Sequence, residues 1–404
     1  MDTHTSTGTK RALVVGCGLA GCATAWWLHE SGWEVVLVDQ RTDPYPSSYL
    51  LQLDNVAIDI LRRMGAQDVI DRTTYPSPNT ALRWCGQGKT RTLSFDTRDH
   101  RGEPWRLADR SPFLSAIFAH VPSTVDIRLG VRLDSLENFT DRVKAHFADG
   151  TADTFDVVVG ADGLHSTVRE LTLAPESASV YRNDVTHLWI NVDEKLLDGQ
   201  AILAARNRTA LQIYPYRDPA RTMILAALPV PAGTPLDHRA LVDHVADTIT
   251  HLGVDLEPIA SAARASSDIK TTQFSQVRLS RWHTRRVVLL GDAAHCIDPL
   301  SGMGAHGALL GVVSLTAALQ RYGSATTSAF TRYESEVRPF AESAQSVTAR
   351  TIEYISRTQH RPRLTTVLGG LGDIARIIPS LLHKKNQRNS LALSDIRETN
   401  RQAA

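Results

Sequence analysis

The stretch GDAAHCIDPLSGMGAHGALLG, residues 291–311, brings an acid, Asp292, and two histidines, His295 and His306, around a glycine-rich turn. Their spacing makes neither a nucleophile–base pair nor a set of metal ligands. Strand formers (Val287 to Leu290) stop at Gly291-Asp292, and a small-residue apolar helix begins after Gly304. The feature to be explained is therefore backbone left free of bulky side chains.

A second glycine turn stands near the start. VVGCGLAGCATAWWLHESGWEVVLVDQR carries Gly16, Gly18 and Gly21 in a G-x-G-x-x-G pattern where a strand meets a helix, and Asp39 ends the next strand. Each glycine has a separate reason: a tight turn at Gly16, close approach of a pyrophosphate at Gly18, and close helix–strand packing at Gly21. The first N–H groups of the helix, on Leu19, Ala20 and Gly21, can hold phosphate, and an acid at Asp39 can accept from ribose hydroxyls. The motif leaves open whether the dinucleotide is NAD or FAD.

A third stretch, DVVVGADGLHSTVRE (156–170), delivers Asp162-Gly163 and then Arg169 from a buried strand. Taken together and in this order, the three stretches resemble the fingerprints of the class A, p-hydroxybenzoate hydroxylase-like, flavoprotein monooxygenases. That resemblance implies FAD bound by Gly16, Gly18, Leu19, Ala20, Gly21, Asp39, Gln40, Arg41, Arg110, Val131, Asp162, Gly163, Gly291, Asp292, Pro299, Gly302, Met303, Gly304 and Ala305. It implies Arg110, in ADRSPFLSAI, reaching the FAD, and Val131 placing backbone near the adenine. Asp292 would bond the ribityl chain, and the turn Pro299–Gly304 would run under the isoalloxazine. The small residues Gly302, Gly304 and Ala305 would leave room for a flat ring. Helix-start N–H groups would stabilise its anionic reduced form without a titrating side chain. One departure stands at the second strand: Asp39-Gln40-Arg41 replaces the family's Glu-Arg, shortening the acid and displacing the arginine.

The resemblance implies non-covalent FAD, a transiently bound NAD(P)H as reductant, and transfer of one oxygen atom from O2 through a flavin hydroperoxide. The substrate would be a small organic molecule, aromatic or polycyclic, of the kind met in secondary metabolism or antibiotic biosynthesis. Gln52, Trp189, Gln212, Tyr214 and Tyr216 are the expected pocket residues; no catalytic base and no metal site are read. His295 and His306 are expected to be structural. The alternatives are an FAD-dependent reductase of the same superfamily and a non-catalytic flavin-binding protein. Hydroxylation, epoxidation and Baeyer–Villiger insertion stay undivided, as do NADH and NADPH.

The elements that must position these residues follow from texture. KRALVVG, EVVLVD, FDVVVG and RVVLLG read as fully buried parallel strands, with a helix at 19–31 between the first two. Helices are expected at 53–64, at 111–120 from a Ser111-Pro112 start, and at 237–252. Strand-like runs at hairpin spacing between 180 and 280 indicate an antiparallel sheet. The fold class expected is α/β: a Rossmann-like FAD-binding domain with an inserted antiparallel-sheet substrate domain and C-terminal helices. The boundaries expected are 1–80, 100–180 and 281–340 for the FAD domain and 81–99 and 181–280 for the substrate domain. A C-terminal helical segment and loose tail would occupy 341–404.

Composition agrees with an intracellular enzyme of small molecules. Forty-two per cent of the 404 residues are hydrophobic, and the formal net charge is +1, so nothing calls for nucleic acid as a partner. The cysteines form no CxxC pair, which suits a reducing cytoplasm. No signal peptide or membrane span is read. Monomer and homodimer stay equally open.

Overall fold

The structure, a computed structural model, describes residues 9–357 except 44, 46–48, 87–88, 97, 99–100, 198, 207 and 218–220. Residues 1–8 and the part of the expected C-terminal segment from 358 onward lie outside the described residues.

A six-stranded sheet forms the first layer, in the order His283–Thr284, Val287–Leu289, Val157–Gly160, Arg11–Val15, Glu34–Asp39, Asp126–Leu129. Its strands run parallel except for the first, which returns antiparallel to its neighbour. The central strand pairs Leu13 with Val158 on one side and Val36 on the other. All are buried, because helices cover both faces and leave no side for alternation. The helices Leu19–Glu30 and Gly304–Tyr322 pack on each other across this layer.

A seven-stranded sheet forms the second layer, in the order Asp268–Val277, Val180–Val192, Thr222–Leu228, Thr209–Pro215, Gln200–Arg206, Asn79–Gly86, Lys89–Phe95. It is antiparallel except between Gln200–Arg206 and Asn79–Gly86, which pair in parallel because the second of these arrives from the other side of the molecule. Side-chain alternation divides its faces. Leu188, Ile190, Leu211, Ile213, Ile224 and Ala226 pack on the helices His238–Thr250 and Glu257–Ala265. Trp189, Tyr214, Met223 and Leu225 face the other way, into a second cluster. The helix His238–Thr250 starts at Asp237, whose carboxylate accepts from the Ala240 N–H.

Three differences from the sequence reading have local causes. The helix expected at 53–64 runs Asn55–Arg63, since Leu50–Leu53 is a strand paired with Arg106–Asp109 and Asp54 is the cap. The helix expected from Ser111 starts at Arg110, because Ser111 Oγ donates to the Tyr45 carbonyl instead of capping. The boundary expected at 340/341 falls inside one helix, Thr326–Arg357, which continues through Pro339. Further elements include the helices Gln67–Thr73 and Glu257–Ala265, a three-stranded sheet of Leu133–Asn138, Val143–Phe147 and Ala152–Phe155, and a small sheet in the order Leu50–Leu53, Arg106–Asp109, Thr74–Pro76.

Candidate active site

Three turns and one small sheet meet where the parallel strands end. At the first turn Gly16 has φ +105°, and a Cβ there would lie 2.5 Å from the Ala161 oxygen. A Cβ at Gly21 would fall 1.8 Å from the Gly16 oxygen, so helix and strand touch through that glycine. Gly18 differs: no protein atom lies within 4 Å of its Cβ position. The N–H groups of Leu19, Ala20 and Gly21 have no acceptor among the described residues, which leaves them to an anion at the positive end of the helix. Asp39 holds the turn, accepting from Cys17 N–H at 2.8 Å and Arg41 N–H at 2.9 Å. Those two bonds leave lone pairs for ribose hydroxyls. Val131 donates its N–H to the Asp39 carbonyl, which leaves its own carbonyl as the backbone group not so engaged. Gln40 and Arg41 are exposed. Cys17 and Cys22 are buried, and burial pushes both thiols upward, which makes them inert.

At the second turn Asp162 accepts from Ser166 Oγ at 2.5 Å and Val168 N–H at 3.0 Å. Burial raises its pKa, and those donors oppose the rise. Gly163 has φ +81° with open space where a Cβ would be. The Arg169 guanidinium is buried; it donates to the carbonyls of Leu164 at 2.7 Å and Ala293 at 3.1 Å.

The third turn follows Gly291, φ +61°. The Asp292 side chain is open to solvent yet surrounded by protein, which describes the floor of a deep cleft. Loss of bulk water raises its pKa, and Arg110 pulls it back. Beyond Pro299 and Met303, Gly302 (φ +63°) lies against Gln52: a Cβ there would meet the Gln52 amide oxygen at 2.5 Å. Gly304 is exposed with open space above it, and the N–H groups of Gly304 and Ala305 have no acceptor among the described residues.

Both histidines are buried and packed against an aromatic ring. His306 Nδ1 and Asp54 Oδ2 stand 2.5 Å apart, buried, with the ring stacked on Phe340 at 4.6 Å. His295 packs on Trp282 at 4.7 Å, and burial pushes its pKa down to about 4, so it is neutral. Among the described residues no group of His, Cys, Asp and Glu could hold a metal ion. No helix among them is long and apolar enough to cross a membrane.

The residues expected to line the substrate site lie near the third turn and in one aromatic cluster. The rings of Trp189 and Tyr49 lie 4.9 Å apart, and Trp189 Nε1 donates to Thr272 Oγ1 at 3.1 Å. Gln212 Nε2 donates to the Leu300 carbonyl at 3.2 Å, joining the larger sheet to the third turn. Tyr216 is part of the wall: its hydroxyl donates to Asn191 and Arg221 covers its ring at 4.6 Å. Tyr214 is only partly buried, and its hydroxyl has no partner among the described residues. Surrounding protein pushes that phenol up to about 12.

Tyr49, Tyr75 and Asp109 were missed in the sequence. Tyr49 lies with Arg110 and Lys270 at 5.2 and 5.6 Å from its ring. Tyr75 donates to the Pro215 carbonyl at 2.9 Å. Asp109 shares a strand face with Leu107, opposite Leu50; one of its oxygens is buried without a partner, and burial raises its pKa. Alternation along YLLQL and RLAD was the available signal, but strands of four residues show too little of it.

The open glycine turn with free N–H groups, the cleft-floor carboxylate and the free helix start fit FAD, which presents a pyrophosphate, a ribityl chain and a flat ring. Comparison with known proteins agrees. The FAD binding domain family matches residues 9–348. The uncharacterized protein Rv1260 of Mycobacterium tuberculosis is 27% identical over 344 residues, covering 83% of this chain and 92% of that protein. The 3-amino-4-hydroxybenzoate 2-monooxygenase of Streptomyces cremeus is 27% identical, covering 80% and 82%. The fold matches Klebsiella pneumoniae HpxO, solved with FAD and uric acid, at TM-score 0.74, 19% identity and coverage of 94% and 97%. The chain belongs to the FAD binding domain family of class A flavoprotein monooxygenases and is an FAD-dependent monooxygenase.

Proposed function

We propose that this enzyme inserts one atom of O2 into a planar aromatic or polycyclic organic molecule, with NAD(P)H bound transiently as the reductant. The observation that supports this reading is the cluster of Tyr49, Tyr75, Trp189, Tyr214, Met223 and Leu225 that closes on Leu300 of the third turn. A wall of flat rings beside that turn selects flat guests, and one hydroxyl, on Tyr214, orients them. When bound, FAD supplies the activation of oxygen. The chain supplies position and charge. The Leu19, Ala20 and Gly21 N–H groups would hold the pyrophosphate, and Asp292 would hold the ribityl chain. The Gly304 and Ala305 N–H groups would stabilise negative charge on the ring. The apolar wall keeps water from the reacting atoms.

The test is NADH and NADPH oxidation by FAD-loaded protein, with oxygen uptake and peroxide recorded, across polycyclic phenols and quinones. A compound that accelerates oxidation and gains one oxygen by mass supports the reading. Loss of a substrate double bond with no oxygen consumed turns it to a reductase.

A further inference from the structure

Under the third turn lies a polar network that neither the motifs nor the cofactor contacts require. His187 Nε2 and Asp298 Oδ2 stand 2.9 Å apart with both side chains fully buried. Asp298 accepts in four more ways: Oδ1 from Leu300 N–H at 3.0 Å, Oδ2 from Ser275 N–H at 3.3 Å, and its carbonyl from Ser301 Oγ at 2.7 Å and Ser301 N–H at 3.2 Å. The two preceding carbonyls are also held. Gln345 Nε2 donates to Cys296 O at 2.9 Å, and Gln276 Nε2 to Ile297 O at 3.1 Å.

The residue so tightly held is strained. Asp298 has φ +102° and ψ 139°, a region that suits glycine and that other side chains resist. Such a conformation persists only where its surroundings over-determine it. The Asp298 bonds do so, and they aim the next residues, Pro299 to Gly304, at the cleft. His187 is the only side chain outside the turn that reaches the Asp298 carboxylate among the described residues. A carboxylate only accepts, so Nε2 is the donor. Nδ1 is buried with no partner, which is tolerable for a bare lone pair and costly for a second N–H. His187 also lies two residues before Trp189 on the same strand face, the face of the aromatic wall.

We propose that His187 is a positioning residue: acting through Asp298, it holds the strained turn that presents Pro299–Gly304 to the flavin. The pair ties the substrate-side sheet to the cofactor-side turn. This rests on FAD occupying the cleft, and the test separates the two ideas.

His187→Leu, His187→Gln and wild type are compared in two ways. Amide hydrogen exchange of flavin-free protein is read at Leu300 to Gly302, and flavin absorption, midpoint potential and FAD affinity are read on loaded protein. Glutamine keeps an N–H donor near the position of Nε2. The expected result for His187→Leu is at least tenfold faster exchange at the turn, a shifted flavin spectrum and potential, and about tenfold weaker FAD. His187→Gln restores all of these towards wild type. Unchanged exchange in His187→Leu, or an unchanged spectrum and potential in spite of faster exchange, overturns the proposal. So does a His187→Gln variant whose turn exchanges at least tenfold faster than wild type, a comparison that needs no folded His187→Leu. Wild-type protein that takes up no FAD defeats the cofactor assignment instead, while the exchange data still report on the turn.

Discussion

Arg169 donates through Nη1 to the carbonyl of Ala293 across 3.1 Å, so the second and third glycine turns are joined by one buried guanidinium. Its Nη2 donates to Leu164, closing the second turn on itself. Arg169→Met would leave both carbonyls without that donor, at roughly 1–3 kcal/mol each where water cannot replace it. The expected outcome is a lower urea midpoint in flavin-free protein and weaker FAD in titrations. Stability and affinity both equal to wild type would show that the turns hold together without it.

Gly21, packed tight, and Gly18, open, separate folding from cofactor binding. Gly21→Ala places a Cβ against the Gly16 oxygen and is expected to reduce folded yield sharply. Gly18→Ala meets no protein atom and is expected to keep its Tm while losing FAD affinity by tenfold or more. Thermal unfolding and FAD titration of the pair check this. Equal damage to both properties in both variants would contradict it.

Tyr214→Phe removes a hydroxyl that has no partner among the described residues, so Tm is expected to be unchanged. Loss of one substrate hydrogen bond, about 0.5–1.5 kcal/mol, should raise KM or lower kcat/KM about two- to twelvefold. Because the phenol titrates near 12, the ratio of wild type to variant should stay flat up to pH 10. A ratio that falls between pH 8 and 10 would mean the hydroxyl ionises there.

Acid stability has a defined slope. Unfolded, His295 takes a proton near its ordinary pKa of 6.5; folded and buried, it does so only near 4. Between those values the unfolded chain binds more protons, so stability is full above pH 6.5 and falls on acidification towards pH 4. The loss is up to roughly 3 kcal/mol. His295→Gln should flatten that limb of the Tm–pH curve whatever it does to Tm at neutral pH. An equally steep limb would assign the slope to other groups.

Backbone constraints were legible because they are local. Gly16, Gly21 and Gly302 are glycines for contacts or dihedrals that a few residues of sequence announce, and the buried strands around them are unbroken apolar runs. The aromatic wall was legible at Trp189 and Tyr214 through alternation along long strands. Tyr49, just before the strand Leu50–Leu53, and Asp109 were not, because the two strands that pair there come from distant segments and each has four residues. The His187–Asp298 pair spans 111 positions, and neither residue stands in a pattern that names the other.

The parallel seam between Gln200–Ala204 and Asn79–Arg83 bears on how such enzymes can be recombined. A chimera that transplants 180–277 alone would carry a foreign edge to a resident strand and lose five register pairs at once. Exchange of specificity therefore requires two coordinated grafts, one of them upstream of Arg110. Lineages and engineers alike are pushed towards point changes on the wall rather than module swaps.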